Sequence, residues 1–171
     1  MTKYLLFLPR AGFSDIHSQL TKVIDYCFKM NRVLLFHFKY SIYDINYTEY
    51  FELKNIKCDI IYDSNKIIKL IKDNKFSVFP NIFTDLENLI LNIEYNDKMT
   101  NGIFNKKRVI FGDNSSRHIY TKNLEKVNIS SLPKDEREED VIIHSKNLGS
   151  DRHSRFFMNH MFLTEHVKKK N

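Results

Sequence analysis

The sequence predicts an α/β fold, an open and mostly parallel sheet with helices on both faces. Three observations lead there. Short, mostly apolar runs recur along the chain, as in YLLFL, VLLFHF and VIIH. Amphipathic helical patterns follow the first of these runs and recur later. Turn and capping residues mark the junctions. Apolar strands joined by helices are best accommodated as parallel crossover units, whose strands are buried on both faces and so lose the polar alternation of a half-exposed sheet.

The elements follow in order. Tyr4 to Leu8 reads as the first strand, stopped by Pro9. After the turn Arg10-Ala11-Gly12-Phe13-Ser14-Asp15, a helix is expected over 15–30. Ile16, Leu20, Val23, Ile24, Cys27 and Phe28 fall on one stripe of it, at spacings of three and four. Ser14 or Asp15 is expected to cap it, and Asn31 to end it. Val33 to Phe38 is the second strand and Cys58 to Tyr62 the third. Asp63 or Ser64 caps a helix carrying Ile67, Ile68, Leu70 and Ile71. Phe76 to Phe79 reads as a strand stopped by Pro80. Thr84 or Asp85 caps a helix with Leu86, Leu89, Ile90 and Ile93, and Arg108 to Phe111 reads as another strand. Glu136 to Asp140 is a charged, solvated loop before the last strand, Val141 to His144. A final helix is expected from about Ser154 to Lys169, with Phe157, Met161 and His160 on its inner face. A chain ending on a crossover-type helix is unusual for this architecture. Residues 4–8, 33–38, 58–62 and 141–144 are thus expected as neighbouring parallel strands, with helices 15–30 and 154–169 packed on the sheet. No repeat or low-complexity linker divides the chain, so residues 1–171 read as one domain.

Composition narrows the function classes. Hydrophobic and charged residues make up 42% and 28% of the 171 positions, as in soluble globular proteins. No apolar run approaches the ~20 residues of a membrane span. YLLFL is shorter than the ~7–15-residue apolar region of a signal peptide and has no small-residue cleavage site behind it. A cytoplasmic location without a transmembrane segment is expected. The net charge of +6 and pI near 9.2 permit a nucleic-acid partner. The lysines are scattered, however, apart from Lys168-Lys169-Lys170. The richness in Lys, Asn and Ile matches A/T-rich codons, and no groove-reading or base-stacking motif is present, so none is expected. The two cysteines, Cys27 and Cys58, form no ligand spacing and read as reduced, buried thiols. His160 and His166 are not at the i, i+4 spacing that places two ligands on one helix face. No metal and no cofactor are expected.

The residues that can carry chemistry gather at the strand ends. In an open parallel sheet, ligands bind beyond the carboxyl ends of the strands. The first strand delivers Arg10 to Asp15 to that edge. The following helix N-terminus offers N–H groups and a partial positive charge suited to a phosphate or carboxylate. Gly12, one of four glycines, allows close backbone approach or a positive φ. The same residues also make an ordinary capped turn without a ligand. A second cluster, His144, Ser145, Asp151, Arg152, His153, Ser154 and Arg155, follows the last strand to the same edge. A histidine there suits a base beside a developing alkoxide; a polar loop with a helix cap is the alternative. His17 is expected to face solvent and His37 to be a hydrogen-bonded core residue. Tyr40, Tyr43, Tyr47, Tyr50 and Phe51 either stack on sugar rings or pack a loop against the sheet.

The run AGFSDIHSQLTKVIDYCFKMNRVLLFHF resembles the N-terminal segment of fucosyltransferase-like glycosyltransferases, including bacterial surface-polysaccharide enzymes. Gly12, Phe13, Asp15, Gln19, Asn31 and Arg32 match, while Ala11 stands where that family has a first glycine. YTEYFEL (residues 47 to 53) and EDVIIHSKNLGS (residues 139 to 150) are similar to later segments. The resemblance implies a Rossmann-like domain, the first and acceptor-side half of a GT-B type enzyme, with a nucleotide sugar and a glycan acceptor as partners. Together with the two strand-end clusters, it makes Asp15 and His144 the expected catalytic groups, and Arg10, Gly12, Phe13, Ser14, Gln19 and Arg152 the expected substrate contacts. The family's second half opens with a His-x-Arg-type strand. RHIY and DRHSR contain those residue types without the pattern. The expectation is therefore a half-enzyme that is inactive alone and self-associates through its uncovered face. The alternative is a non-catalytic Rossmann-like domain that binds a glycan, nucleotide or protein.

Overall fold

A computed structural model of the chain describes residues 1–9, 12–41, 43, 45–79, 119–120, 126–127, 132–145 and 156–170. The expected helix near 84–93 and strand Arg108 to Phe111 lie outside the described residues, as do Arg10, Ala11 and Arg152.

The core of the fold is a five-stranded sheet with every neighbouring pair parallel. Its strands are β1 (Tyr4–Phe7), β2 (Val33–Phe36), β4 (Ile60–Ile61), β5 (Val78–Phe79) and β8 (Val141–His144), in the spatial order β4-β2-β1-β8-β5. The chain moves outward from β1 to β2 to β4, then crosses to the opposite edge and returns inward, so the late strand β8 lies beside β1. Phe7 faces Phe36 on one side and His144 on the other in register. All four expected strands are present as parallel neighbours.

Alternating side chains of the sheet feed two separate cores. Leu5, Phe7, Leu34, Phe36 and Ile142 pack on one face with Ile16, Leu20, Val23, Ile24 and Cys27 of α1 (Phe13–Met30). Leu6, Leu8, Leu35, Val141 and Ile143 pack on the other with Ile67 and Ile71 of α2 (Ser64–Lys72). Period-two alternation in strands meets period-3.6 stripes in helices, which is what a covered parallel sheet requires. Each fully buried Leu or Ile contributes about 1.5–3 kcal/mol over its exposed state.

Local chemistry sets the helix ends. α1 starts two residues earlier than expected. Gly12 is its N-cap and makes no side-chain cap bond, so neither Ser14 nor Asp15 caps the helix. Its first intrahelical bond runs from Ile16 N to Gly12 O, at 3.0 Å. Asn31 closes it in the left-handed region (φ 53°), a conformation asparagine tolerates. Asp63 caps α2 as expected, its carboxylate accepting from Asn65 N at 2.9 Å.

The carboxyl-terminal segment departs from expectation. No helix spans 154–169. A four-residue helix α3 (Phe156–Asn159) is followed by β9 (Met161–Leu163) and a short helix α4 (Glu165–Lys170). β9 pairs antiparallel with β3 (Phe51–Leu53), Glu52 opposite Phe162. Lys54 N bonds His160 O at 2.9 Å, and Thr164 N bonds Tyr50 O at 3.1 Å. The unpaired strand Phe51–Leu53 captures residues whose local pattern also suits a helix. The last described element is therefore no crossover helix. β6 (Ile119–Tyr120) and β7 (Lys126–Val127) form a separate antiparallel pair. No helix among the described residues is long and apolar enough to cross a membrane.

Candidate functional site at the carboxyl edge of the sheet

Parallel register brings the ends of β1, β2 and β8 to one level, and backbone bonds stitch the residues beyond them. Leu8 N donates to His144 O at 2.9 Å, and His37 N donates to Phe7 O at 3.1 Å. The Ser145 hydroxyl donates to Leu8 O at 2.8 Å. The strand order reverses here: β1 continues through α1 to β2 on one side, while β8 flanks it on the other. The carboxyl edge at such a reversal is the usual ligand position in an open α/β sheet.

The turn after β1 brings Gly12, Phe13, Ser14 and Asp15 to this edge as the cap and first turn of α1. Ser14 is exposed, whereas Gly12, Phe13 and Asp15 are half-buried. Gly12 has φ −76° and ψ 171°, extended backbone open to any residue. A Cβ there would meet only Asp15 Oδ2, at 3.9 Å. The turn thus does not require glycine for its own conformation, and of the two expected uses of Gly12 the positive φ is not the one made. The uncapped first turn keeps the dipole end that anions prefer. Phe13 is drawn into packing. Its ring lies 5.8 Å from Phe157, nearly parallel, and 4.4 Å from the His17 ring.

His144 ends β8 at the same edge, 1% exposed, its ring 5.7 Å from that of Phe7. Gln19 is buried on α1, below the edge. The sheet therefore sets the turn and His144 at the same edge, with His144 and Gln19 buried and Ser14 exposed.

His17 is not solvent-facing. It is fully buried, with Nδ1 2.7 Å from Phe13 O and Nε2 2.9 Å from the Tyr47 hydroxyl. A carbonyl only accepts, so Nδ1 carries the proton and Nε2 accepts from Tyr47. Burial lowers the His17 pKa to about 4, against the smaller opposing effect of the Phe13 carbonyl, and the ring is neutral. Burial also raises the Tyr47 phenol. Tyr47 itself is fully buried between Phe36, Phe38 and Phe51. Of the tyrosine cluster, Tyr47 and Phe51 pack the 38–53 segment against the sheet, and Tyr43 and Tyr50 remain exposed.

A polar network that the sequence only hinted at lies next to β2. His37 Nδ1 is 3.0 Å from the Ser64 hydroxyl, which also accepts from Lys39 N at 3.3 Å. Asn46 accepts from Ser64 N at 3.1 Å and donates to Asp63 at 3.0 Å. His37 and Ser64 are buried, so the network holds the segment after β2 against the start of α2. His37 as a hydrogen-bonded core residue agrees with expectation; Asn46, with no local pattern around it, was not legible.

No family model, curated protein or solved structure matches this chain. The function is argued from the edge itself. Among the described residues no group of three or more His, Cys, Asp or Glu could hold a metal ion.

Asn31 and Arg32 lie at the opposite, amino edge. Arg32 is 4% exposed and donates to Tyr4 O and Glu139 O, each at 3.0 Å, and to Arg137 O at 2.6 Å. It ties the start of β1 to the loop that enters β8.

Proposed function

We propose that the chain is a Rossmann-like, acceptor-side domain of a fucosyltransferase-like glycosyltransferase, with its ligand at the carboxyl edge of the sheet beside the turn after β1. One observation carries the reading: a helix start without a side-chain cap follows the strand at which the sheet order reverses. Sugar transfer forms a bond from an acceptor hydroxyl oxygen to the anomeric carbon while the bond to the diphosphate breaks. The acceptor proton needs a base, and the departing diphosphate needs positive charge. Asp15 is the carboxylate of the turn and half-buried at the edge, which suits the base. The N–H groups of Phe13 and Ser14 suit an anion, and Arg10 is the cation that the sequence offers for the same task. His144, almost fully buried, supports the edge from below.

The test is an amide NMR titration of the full chain with guanosine diphosphate and its fucose conjugate. One exposed helix terminus supplies only ~0.3–1 kcal/mol toward an anion, whereas micromolar affinity needs about 8 kcal/mol. Weak binding is therefore expected, with shifts concentrated at residues 13–15 and removed by Gly12→Val. Shifts confined to other regions, or none at millimolar ligand, would overturn the reading.

The burial of His144 favours a second reading, a non-catalytic domain that binds a glycan, nucleotide or protein at the same edge. In that case binding persists unchanged in Asp15→Asn, and no sugar is transferred under any condition.

A further inference from the structure

At the amino edge, far along α1 from the turn, two distant segments converge. The last turn of α1 closes with Arg32 N bonding Cys27 O at 2.9 Å. The segment entering β4 is fixed by Leu34 N bonding Asp59 O, also at 2.9 Å. The Asp25 carboxylate clamps the two together by pairing with both Lys29 and Lys57. The result is a groove of about 720 Å³ lined by Cys27, Phe28, Arg32, Lys57, Cys58 and Asp59 among others. Cys27 sits in its floor, 1% exposed within the core under α1. Cys58 is half-buried and packs against the same core. Cys27 and Cys58 thus line one groove and pack into one apolar cluster, with the Asp25–Lys57 ion pair beside them.

We propose that Cys27 and Cys58 form a thiol oxidation site, in which Cys58 is the attacking sulfur and Cys27 the resolving one. Exposure assigns the roles, because Cys58 is half-buried at the groove whereas Cys27 is only 1% exposed in its floor. The electrostatics run the same way: the neighbouring Cys27 thiol and Lys57 lower the Cys58 thiol against burial and Asp59, while the Cys58 neighbour and burial raise the Cys27 thiol. A small organic disulfide is the oxidant. The Cys58 thiolate attacks one of its sulfurs, forming a mixed disulfide and releasing one thiolate. Cys27 then gives up its proton, attacks the Cys58 sulfur and expels the second thiolate. Two protein thiols lose two electrons and two protons, and the small disulfide is reduced to two thiols. The closed bond would pin the end of α1 to the lead-in of β4.

The test uses the folded, reduced full chain and glutathione disulfide near neutral pH, read by intact mass and peptide mapping. The expected product is lighter by two hydrogens, carries no glutathione, and yields one peptide joining Cys27 to Cys58. Cys27→Ala should stall with a single glutathione on Cys58. Cys58→Ala should react at Cys27 at least about tenfold more slowly, since a buried thiol is a poor nucleophile. A native chain carrying two glutathiones overturns the proposal. So does one that stays reduced while its urea-unfolded form reacts. The wild-type measurement decides even if a variant folds poorly.

Discussion

The Tyr47 hydroxyl donates to Nε2 of His17 across 2.9 Å, with both residues fully buried. This pair couples the start of α1 to the segment after β2, and it makes the fold sensitive to acid. The folded pKa of His17, about 4, lies below its ordinary 6.5. Between those values the unfolded chain binds the extra proton and the folded chain does not. Stability from this residue is complete above pH 6.5 and falls as pH drops toward 4, by up to about 3 kcal/mol. Urea midpoints measured across that window should rise with pH. His17→Gln should flatten the slope, even if it lowers stability throughout.

Tyr47→Phe removes the donor and leaves a buried imidazole nitrogen without its partner. A loss of about 1–3 kcal/mol is expected, with little change in the circular dichroism of the folded state. A neutral result would mean that the ring nitrogen finds another donor.

Gly12→Ala should fold as the parent does. The backbone there is extended and a Cβ has room beside Asp15. A melting temperature lowered by many degrees would contradict the described turn. If the fold is intact and anion binding drops, the glycine serves the ligand.

Arg32→Lys should destabilise more than a charge-conserving exchange usually does. The guanidinium fork reaches three carbonyls from a buried position, and an ammonium cannot span them. A cost of about 2–4 kcal/mol is expected from the orphaned carbonyls, read from denaturant unfolding.

Phe162→Pro should unpair β9 from β3 without dissolving the sheet. Proline cannot donate to the ladder. Backbone amide exchange should accelerate at Lys54 and Thr164 and stay slow in β1 and β2. Accelerated exchange throughout the molecule would mean that this ribbon is part of the main cooperative unit.

The parallel sheet was readable from sequence because each central strand is buried on both faces and so appears as an unbroken apolar run. The same held for α2 and for most of α1, where Ile16, Leu20, Val23, Ile24 and Cys27 are buried as their stripe predicts, whereas Phe28, expected on it, is 57% exposed because the last turn of the helix runs past the sheet-covered face. His17 was misjudged for a nonlocal reason. The stripe of α1 accounts for burial against the sheet, but residues 16 to 20 are all buried, because the 38–53 segment and α3 cover the helix from other sides. β9 was missed because three residues are too few to show an alternation, and only the edge of β3 selects the extended form. At the candidate site, the position of the Gly12–Asp15 turn followed from topology alone. The burial of His144 and Gln19 did not, since it depends on what packs above them.

The insertion of β8 between β1 and β5 has a kinetic consequence. Ser145 and Leu8, joined by a hydrogen bond, are 137 positions apart. β1, β2 and β4 leave the ribosome long before the strand that completes the centre of their sheet. Until then one side of β1 presents unpaired backbone groups, the situation that favours wrong partners. Pairings of such sequence separation also slow the search for the native state. Refolding of the full chain should therefore be slow for its size. During synthesis, residues 4–79 are the part of this protein most in need of protection by a chaperone.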